Sequence, residues 1–198
     1  NATGSAGGLK VGAGATLHTR DLRIPRAILR GPGTVTTGTA PGDGLRLLAG
    51  GDPGGANGDT FLTGGITLQN AGPAGLIDKG YDGGALFNDA LYIDEGCSFI
   101  NLAGATIEMK RGLDLWSVEY APGLRRGGSF INKGRLMKTG GGQSVVQKEV
   151  TFANEGSLEI GSGEFVLLGR LENNGTVTVR GDGVRVDVPE LGFQGLGG

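Results

Sequence analysis

The octapeptide SFINKGRL at residues 129–136 occurs again as TFANEGSL at 151–158 and as RLENNGTV at 170–177. The copies begin 22 and 19 residues apart and share an apolar residue, Asn, Gly and a second apolar residue at alternate positions. Such alternation of apolar and polar residues is typical of half-buried β-strands. A repeat of this length accommodates three short strands and their corners, so it predicts one coil of a β-solenoid.

Each shared position has a physical interpretation. We expect the Gly to form a corner with positive φ, and Asn tolerates the same left-handed region. Stacked Asn amides can also hydrogen-bond from one coil to the next. Phe130, Phe152 and Leu171 would form an internal column. With a looser copy that begins at residue 98, the predicted ladder comprises Phe99, Asn101, Phe130, Asn132, Gly134, Phe152, Asn154, Gly156, Leu171, Asn173 and Gly175.

The looser copy begins 31 residues before the first regular one, which leaves room for an insertion. The additional material is RGLDLWSVEYAPGLRR at 111–126. Insertions in solenoids project from one face, where binding commonly occurs. We therefore take Trp116, Tyr120, Arg125 and Arg126 as candidates for contact with a partner or a glycan. In the alternative interpretation, Trp116 and Tyr120 fold back to cover an open side of the stack.

These patterns predict an all-β protein with the architecture of a parallel β-helix, or β-solenoid. Residues 98–198 would be its regular repeats, with the inserted loop at 111–126. Residues 1–97 are glycine-rich and loosely periodic, and we expect them to be a cap or docking part of the stack. An antiparallel β-sandwich is the alternative, because Asn174-Gly175 can form a hairpin turn.

Composition narrows the range of functions. Glycine accounts for 43 of the 198 residues, which disfavours helices. The formal net charge of −2 gives no electrostatic case for binding nucleic acid or an anionic membrane. No apolar run is long enough for a membrane-spanning helix. The single cysteine, Cys97, excludes an intrachain disulfide framework. Because the chain begins at Asn1, we expect a removed leader or a longer parent protein.

The repeats at 98–188 resemble those of bacterial surface proteins with β-helical stems, of the filamentous-haemagglutinin and autotransporter-adhesin type. The resemblance implies an extracellular or cell-surface location and a structural or adhesive role. It implies no catalytic residues and no cofactor.

The segment GGANGDTFLTGG at 54–65 is similar to one nonapeptide of the calcium-binding β-roll family. In that family, Asp and loop carbonyls from adjacent turns share each Ca²⁺, and here Asp52 and Asp59 would be the ligands. Asn57 stands where the family has Gly, and the preceding copy is partial. A site with six or more oxygens needs stacked neighbours, so a plain glycine-rich turn is the alternative.

An enzymatic function has less support in the sequence. Paired carboxylates would suit glycoside hydrolysis, but loop residues in a cluster need not face each other. The cluster comprises Asp78, Asp82, Asp89, Asp94 and Glu95. The single histidine, His18, lies in no recognisable triad motif.

The sequence therefore predicts a non-enzymatic structural or interaction protein of an extracellular or virion surface assembly, as a fibre, stalk or shell subunit. Its partners would be other copies of itself, or adjoining repeats of a longer chain, joined through open β edges. A carbohydrate-binding or carbohydrate-cleaving β-helix is the alternative, with a cell-surface glycan as the ligand.

Overall fold

The computed structural model describes residues 7–24, 27–38, 44–48, 59–78, 90–110, 114–181, 184–187 and 190–192. All the secondary structure in these ranges is β-structure. The strands, in chain order, are β1 (Gly7–Lys10), β2 (Thr16–Thr19), β3 (Asp21–Ile24), β4 (Ala27–Arg30), β5 (Thr34–Thr37), β6 (Gly44–Leu48), β7 (Thr60–Thr63), β8 (Thr67–Asn70), β9 (Gly75–Asp78), β10 (Ala90–Ile93), β11 (Ser98–Asn101), β12 (Thr106–Met109), β13 (Asp114–Trp116), β14 (Val118–Ala121), β15 (Leu124–Arg126), β16 (Ser129–Asn132), β17 (Arg135–Lys138), β18 (Gln143–Val146), β19 (Thr151–Asn154), β20 (Ser157–Ile160), β21 (Glu164–Leu167), β22 (Arg170–Asn173), β23 (Thr176–Val179), β24 (Arg185–Asp187) and β25 (Glu190–Gly192).

Apart from β14 and β15, the strands form three parallel sheets, and successive strands along the chain fall in sheets A, B and C in turn. Sheet A has the order β1-β4-β7-β10-β13-β18-β21-β24. Sheet B has the order β2-β5-β8-β11-β16-β19-β22-β25, and sheet C has the order β3-β6-β9-β12-β17-β20-β23. The predicted parallel β-solenoid is thus confirmed. The antiparallel sandwich is excluded, because the pairing within all three sheets is parallel.

The loosely periodic N-terminal half belongs to the same stack. Strands β1–β9 occupy the same three sheets as the strands after residue 97. Its irregular spacing arises where the chain passes from sheet C back to sheet A, at 49–59 and at 79–89. The described strands therefore keep the same order in the stack even where the sequence repeat is irregular.

The core is a column of apolar side chains enclosed by the three sheets. In sheet B, the side chains of Phe99, Phe130 and Phe152 are at most 1% exposed. The rings of Phe99 and Phe130 meet edge to face, with centroids 4.9 Å apart, and those of Phe130 and Phe152 are stacked at 5.3 Å. Burial of each such ring contributes roughly 2–3 kcal/mol. Each coil adds only a few apolar side chains to this column, so a glycine-rich chain can supply it.

A line of asparagines runs up the corner between sheets B and C. In each case the side-chain amide Nδ2 donates to Oδ1 of the asparagine in the next coil. The four bonds are Asn70 to Asn101 (2.9 Å), Asn101 to Asn132 (2.8 Å), Asn132 to Asn154 (2.8 Å) and Asn154 to Asn173 (2.7 Å). We call these five residues the Asn ladder. It satisfies polar groups that would otherwise be buried without partners.

The glycines beside the ladder serve a purpose that the sequence did not predict. Gly134, Gly156 and Gly175 are absent from the glycines with positive φ, so the predicted left-handed corner is wrong. They are required because successive coils approach closely there. A Cβ on Gly156 would lie 2.1 Å from the carbonyl oxygen of Gly134, and one on Gly175 would lie 2.0 Å from that of Gly156.

The asparagines likewise do not provide left-handed corners. In the part of the chain that the structure describes, every residue with positive φ is a glycine. Asn is therefore needed at these positions for its side-chain hydrogen bonds alone.

Candidate functional site: the corner hairpin and the two ends of the stack

The insertion that the sequence predicts at 111–126 is only partly a projecting loop. Asp114–Trp116 is a regular strand of sheet A, β13, whose Leu115 is buried in the core. The additional residues form an antiparallel hairpin, β14–β15, at the corner between sheets A and B. We call residues 118–126 the corner hairpin. Its turn contains Gly123 at φ 79°, a conformation that favours glycine.

The corner hairpin is attached to the coil before it through two side chains. The hydroxyl of Tyr120 donates to Oδ1 of Asp94. The guanidinium of Arg126 donates to Oε2 of Glu95 at 2.6 Å and lies 5.9 Å from the centre of the Tyr120 ring. Asp94 and Glu95 belong to the corner that immediately precedes β11. The hairpin therefore lies against this corner as well as projecting from its own.

On its other side, the hairpin contacts the coil that follows it. Gln147 Oε1 accepts hydrogen bonds from Oγ of Ser117 (2.9 Å) and from Arg125 (3.3 Å). Arg125 also pairs with Glu119 across the hairpin at 2.6 Å. These groups are partly exposed, and each ion pair of this kind contributes about 0–1 kcal/mol. The hairpin consequently links three successive coils at one corner.

Trp116 lies outside the corner hairpin, at the end of β13. It extends a stack of aromatic side chains on the outer side of sheet A, formed with Phe61 and Tyr92. The Phe61 and Tyr92 rings are nearly parallel at 4.5 Å, and the Tyr92 and Trp116 rings meet edge to face at 5.8 Å. We call these three residues the outer aromatic stack. The Nε1 atom of Trp116 is buried and has no hydrogen-bond partner among the described residues.

The geometry of this stack affects what it can bind. Sugars pack on the open faces of aromatic rings, whereas parallel stacked rings use their faces on each other. Phe61 and Tyr92 therefore present ring edges outward. Tyr120 is the more open ring, at 56% exposed, but the Arg126 guanidinium lies over it.

Two tyrosine hydroxyls titrate above their ordinary range. The hydrogen bond to Asp94 raises the pKa of Tyr120 to about 12. Burial raises the pKa of Tyr92, and the nearby carboxylate of Asp59 adds to this effect. The Tyr120 hydroxyl therefore keeps its proton at neutral pH and donates it in a hydrogen bond to Asp94.

Only one of the two candidate calcium ligands lies among the described residues. Asp52 lies outside the described residues. Asp59 precedes β7, and its Oδ1 accepts a hydrogen bond from the backbone N–H of Ala90 at 3.1 Å. In the described ranges, no group of three or more His, Cys, Asp or Glu side chains could hold a metal ion. Calcium binding stays a prediction.

Two of the carboxylates that suggested an enzyme have structural partners. Asp94 and Glu95 are bound by the corner hairpin, whereas Asp82 and Asp89 lie outside the described residues. His18 is exposed on β2. Cys97 is 1% exposed, and burial raises the pKa of its thiol.

The ends of the stack were identified from the sequence only as open edges. Val177 and Val179 of β23 are 40% and 49% exposed, whereas Leu158 and Ile160, their partners in the preceding coil, are 1% exposed. At the other end, Leu17 of β2 is 39% exposed. These side chains continue the core column outward. The alternation in TVTV at 176–179 predicts β23, but only the structure shows that β23 is the last described strand of sheet C.

No family model, curated protein or solved structure matches this chain. In the ranges that the structure describes, no helix is long and apolar enough to cross a membrane.

Proposed function

We propose that this protein is a non-enzymatic structural subunit that associates with copies of itself through the ends of its solenoid. The observation that carries this proposal is the exposure of core positions on the last strand of sheet C, Val177 and Val179. The corresponding side chains Leu136, Leu158 and Ile160 in the two preceding coils are at most 1% exposed. An end-to-end contact would cover Val177 and Val179 as well.

The ends also carry unpaired backbone groups. Among the described strands, β1, β2 and β3 have a free edge at one end, and β23, β24 and β25 have one at the other. Free edges of this kind pair readily with another chain. A neighbouring coil would satisfy the edges and bury the exposed valines together, and each buried valine would contribute about 1.5 kcal/mol.

The setting we propose for this assembly is an extracellular, cell-surface or virion surface, where the subunit would belong to a fibre, a stalk or a shell. Support comes from the resemblance of the Asn-Gly repeats to the stems of bacterial surface adhesins. The parallel coil, stiffened by the Asn ladder and the buried phenylalanines, suits such a rod.

Sedimentation velocity and negative-stain electron microscopy over a range of concentrations test the proposal. The wild-type chain should form assemblies whose size rises with concentration. Val179→Lys should abolish them, because it places a charge on the uncovered end of the core. Thr178→Lys is the matched control, because the same charge on the same strand points away from the core and leaves assembly intact. A wild-type chain that stays monomeric at every concentration contradicts the proposal.

A carbohydrate-binding function has one structural feature in its favour, the exposed Tyr120 ring beside Arg125 and Arg126. The stacked geometry around Trp116 offers less, as described above. Binding of a panel of neutral and acidic glycans, compared between wild type and Tyr120→Ala, tests this alternative. Equal binding by the two proteins would contradict it.

A further inference from the structure

We infer that the copies associate head to tail, with β1, β2 and β3 of one copy added to β23, β24 and β25 of another. This inference rests on the proposed end-to-end function and specifies which end meets which. It follows from the way the coil stops at each end, from the direction of its strands and from its charges.

The C-terminal end of the stack is stepped. Sheets A and B each have eight strands and sheet C has seven, so the open edges at this end belong to β23, β24 and β25 in order of height. The open edges at the N-terminal end belong to β1, β2 and β3, also in order of height. Each set makes one turn of the coil. Rotating the second copy by a third of a turn places β1 on β23 and fills the step.

Strand direction favours the same arrangement. All pairs within sheets A, B and C are parallel. β20 pairs with β23 along one edge of β23, and the opposite edge of β23 is free to pair with a further parallel strand in the same way. In a head-to-tail contact, the incoming strands remain parallel, and the hydrogen-bond pattern of the inner coils continues. A contact between two like ends would make all three pairings antiparallel, which requires a different hydrogen-bond pattern.

The apolar side chains of the two ends would then meet. Leu9 packs against the core from β1, and Leu17 lies at the core-facing position of β2, paired with buried Val35. Placing β1 on β23 brings Leu9 to the exposed Val177 and Val179. Placing β2 on β24 brings Leu17 to Val186, which is also exposed.

The charges of the two ends also favour a head-to-tail contact over a contact between two N-terminal ends. The turn of β1–β3, residues 7–24, carries three basic side chains and one acidic side chain. The turn of β23–β25, residues 176–192, carries three acidic and two basic ones. Two N-terminal ends would repel each other, whereas an N-terminal end attracts the mildly acidic C-terminal end.

Two single-end variants test the inference. Leu17→Lys blocks the N-terminal end and Val179→Lys blocks the C-terminal end. His18→Lys and Thr178→Lys are the matched controls, because they place the same charge on the outer side of the same strands. Far-ultraviolet circular dichroism and a melting curve establish that each variant is folded. If Val179→Lys does not fold, Val177→Lys at the same end replaces it.

The arrangement predicts distinct results for each mixture. Either blocked variant alone should sediment as a monomer, and an equimolar mixture of the two should sediment as a dimer, because one intact end of each kind is then available. A dimer formed by one blocked variant alone shows a contact between like ends and overturns the inference, while leaving self-association intact. If wild type and both controls are also monomeric, end-to-end association itself is wrong.

Discussion

The side-chain amide of Asn132 donates to Oδ1 of Asn154 at 2.8 Å and to the backbone oxygen of Ser157 at 2.9 Å. Its own Oδ1 accepts from Asn101. A fully buried asparagine thus joins three coils. Such a chain of amides is stabilising only while every member has its partners, since an unpaired amide in the core is costly.

Replacement of Asn132 by Ala should therefore destabilise the protein by about 3 kcal/mol, because three hydrogen bonds are lost and two buried amides each lose a partner. The change is measured as a shift in the midpoint of chemical denaturation. Asn174→Ala is the control, because the Asn174 side chain is exposed at a corner, and we expect it to cost less than about 0.5 kcal/mol. Similar costs for the two variants would show that the ladder contributes little.

Gly156→Ala should cost about 2 kcal/mol or more, because the new methyl group would overlap the carbonyl oxygen of Gly134 in the preceding coil. Gly141 offers a comparison in the same half of the chain. A Cβ there meets nothing within 4 Å, so Gly141→Ala should be neutral or stabilising by up to about 1 kcal/mol. Melting temperatures of the two variants decide the point, and a tolerated Gly156→Ala would contradict the close approach.

The Trp116 ring contacts Tyr92, whereas its buried indole N–H has no hydrogen-bond partner among the described residues. Trp116→Phe should retain the contact with Tyr92 and remove the unpaired donor, so the stability should be unchanged or slightly raised. Trp116→Ala should lower it by about 2 kcal/mol. Denaturation curves measure both, and a Phe variant as unstable as the Ala variant would show that the indole N–H is needed.

The Tyr120 hydroxyl should ionise at a higher pH than an ordinary tyrosine. Its folded-state pKa, about 12, lies above the ordinary value of 10.0, so the stabilisation from its bond to Asp94 is complete below pH 10 and is lost as the pH rises through about 12. Asp94→Asn should bring the ionisation down toward the ordinary value, since the carboxylate that holds the proton is gone. Ultraviolet difference titration measures this, with Tyr120→Phe to assign the signal. An unchanged titration in Asp94→Asn would show that the carboxylate does not hold the proton.

The sequence by itself predicted an all-β fold and favoured a parallel stack, with the sandwich as the alternative. Alternation in segments such as Ser157–Ile160, recurring at the length of one coil, carried that preference. The alternation also set the direction of individual side chains. Lys138 falls on the inner side of β17 by this rule, and the structure buries it completely, with Nζ donating to the backbone oxygen of Gly140 at 3.0 Å.

Only the tertiary structure decided what the recurring glycines of each repeat do and which apolar side chains are exposed. Gly134 is required by the distance between two coils, and a distance between residues far apart in sequence leaves no mark on local φ preferences. Asp94 and Tyr120 meet because the corner hairpin lies beside the preceding corner. Val177 and Val179 read as ordinary core residues, and they become a surface only because β23 is the last strand of its sheet. The alternation of apolar and polar residues indicates which side of a strand faces inward. The distance between coils and the exposure of the terminal strands depend on how the whole stack is assembled.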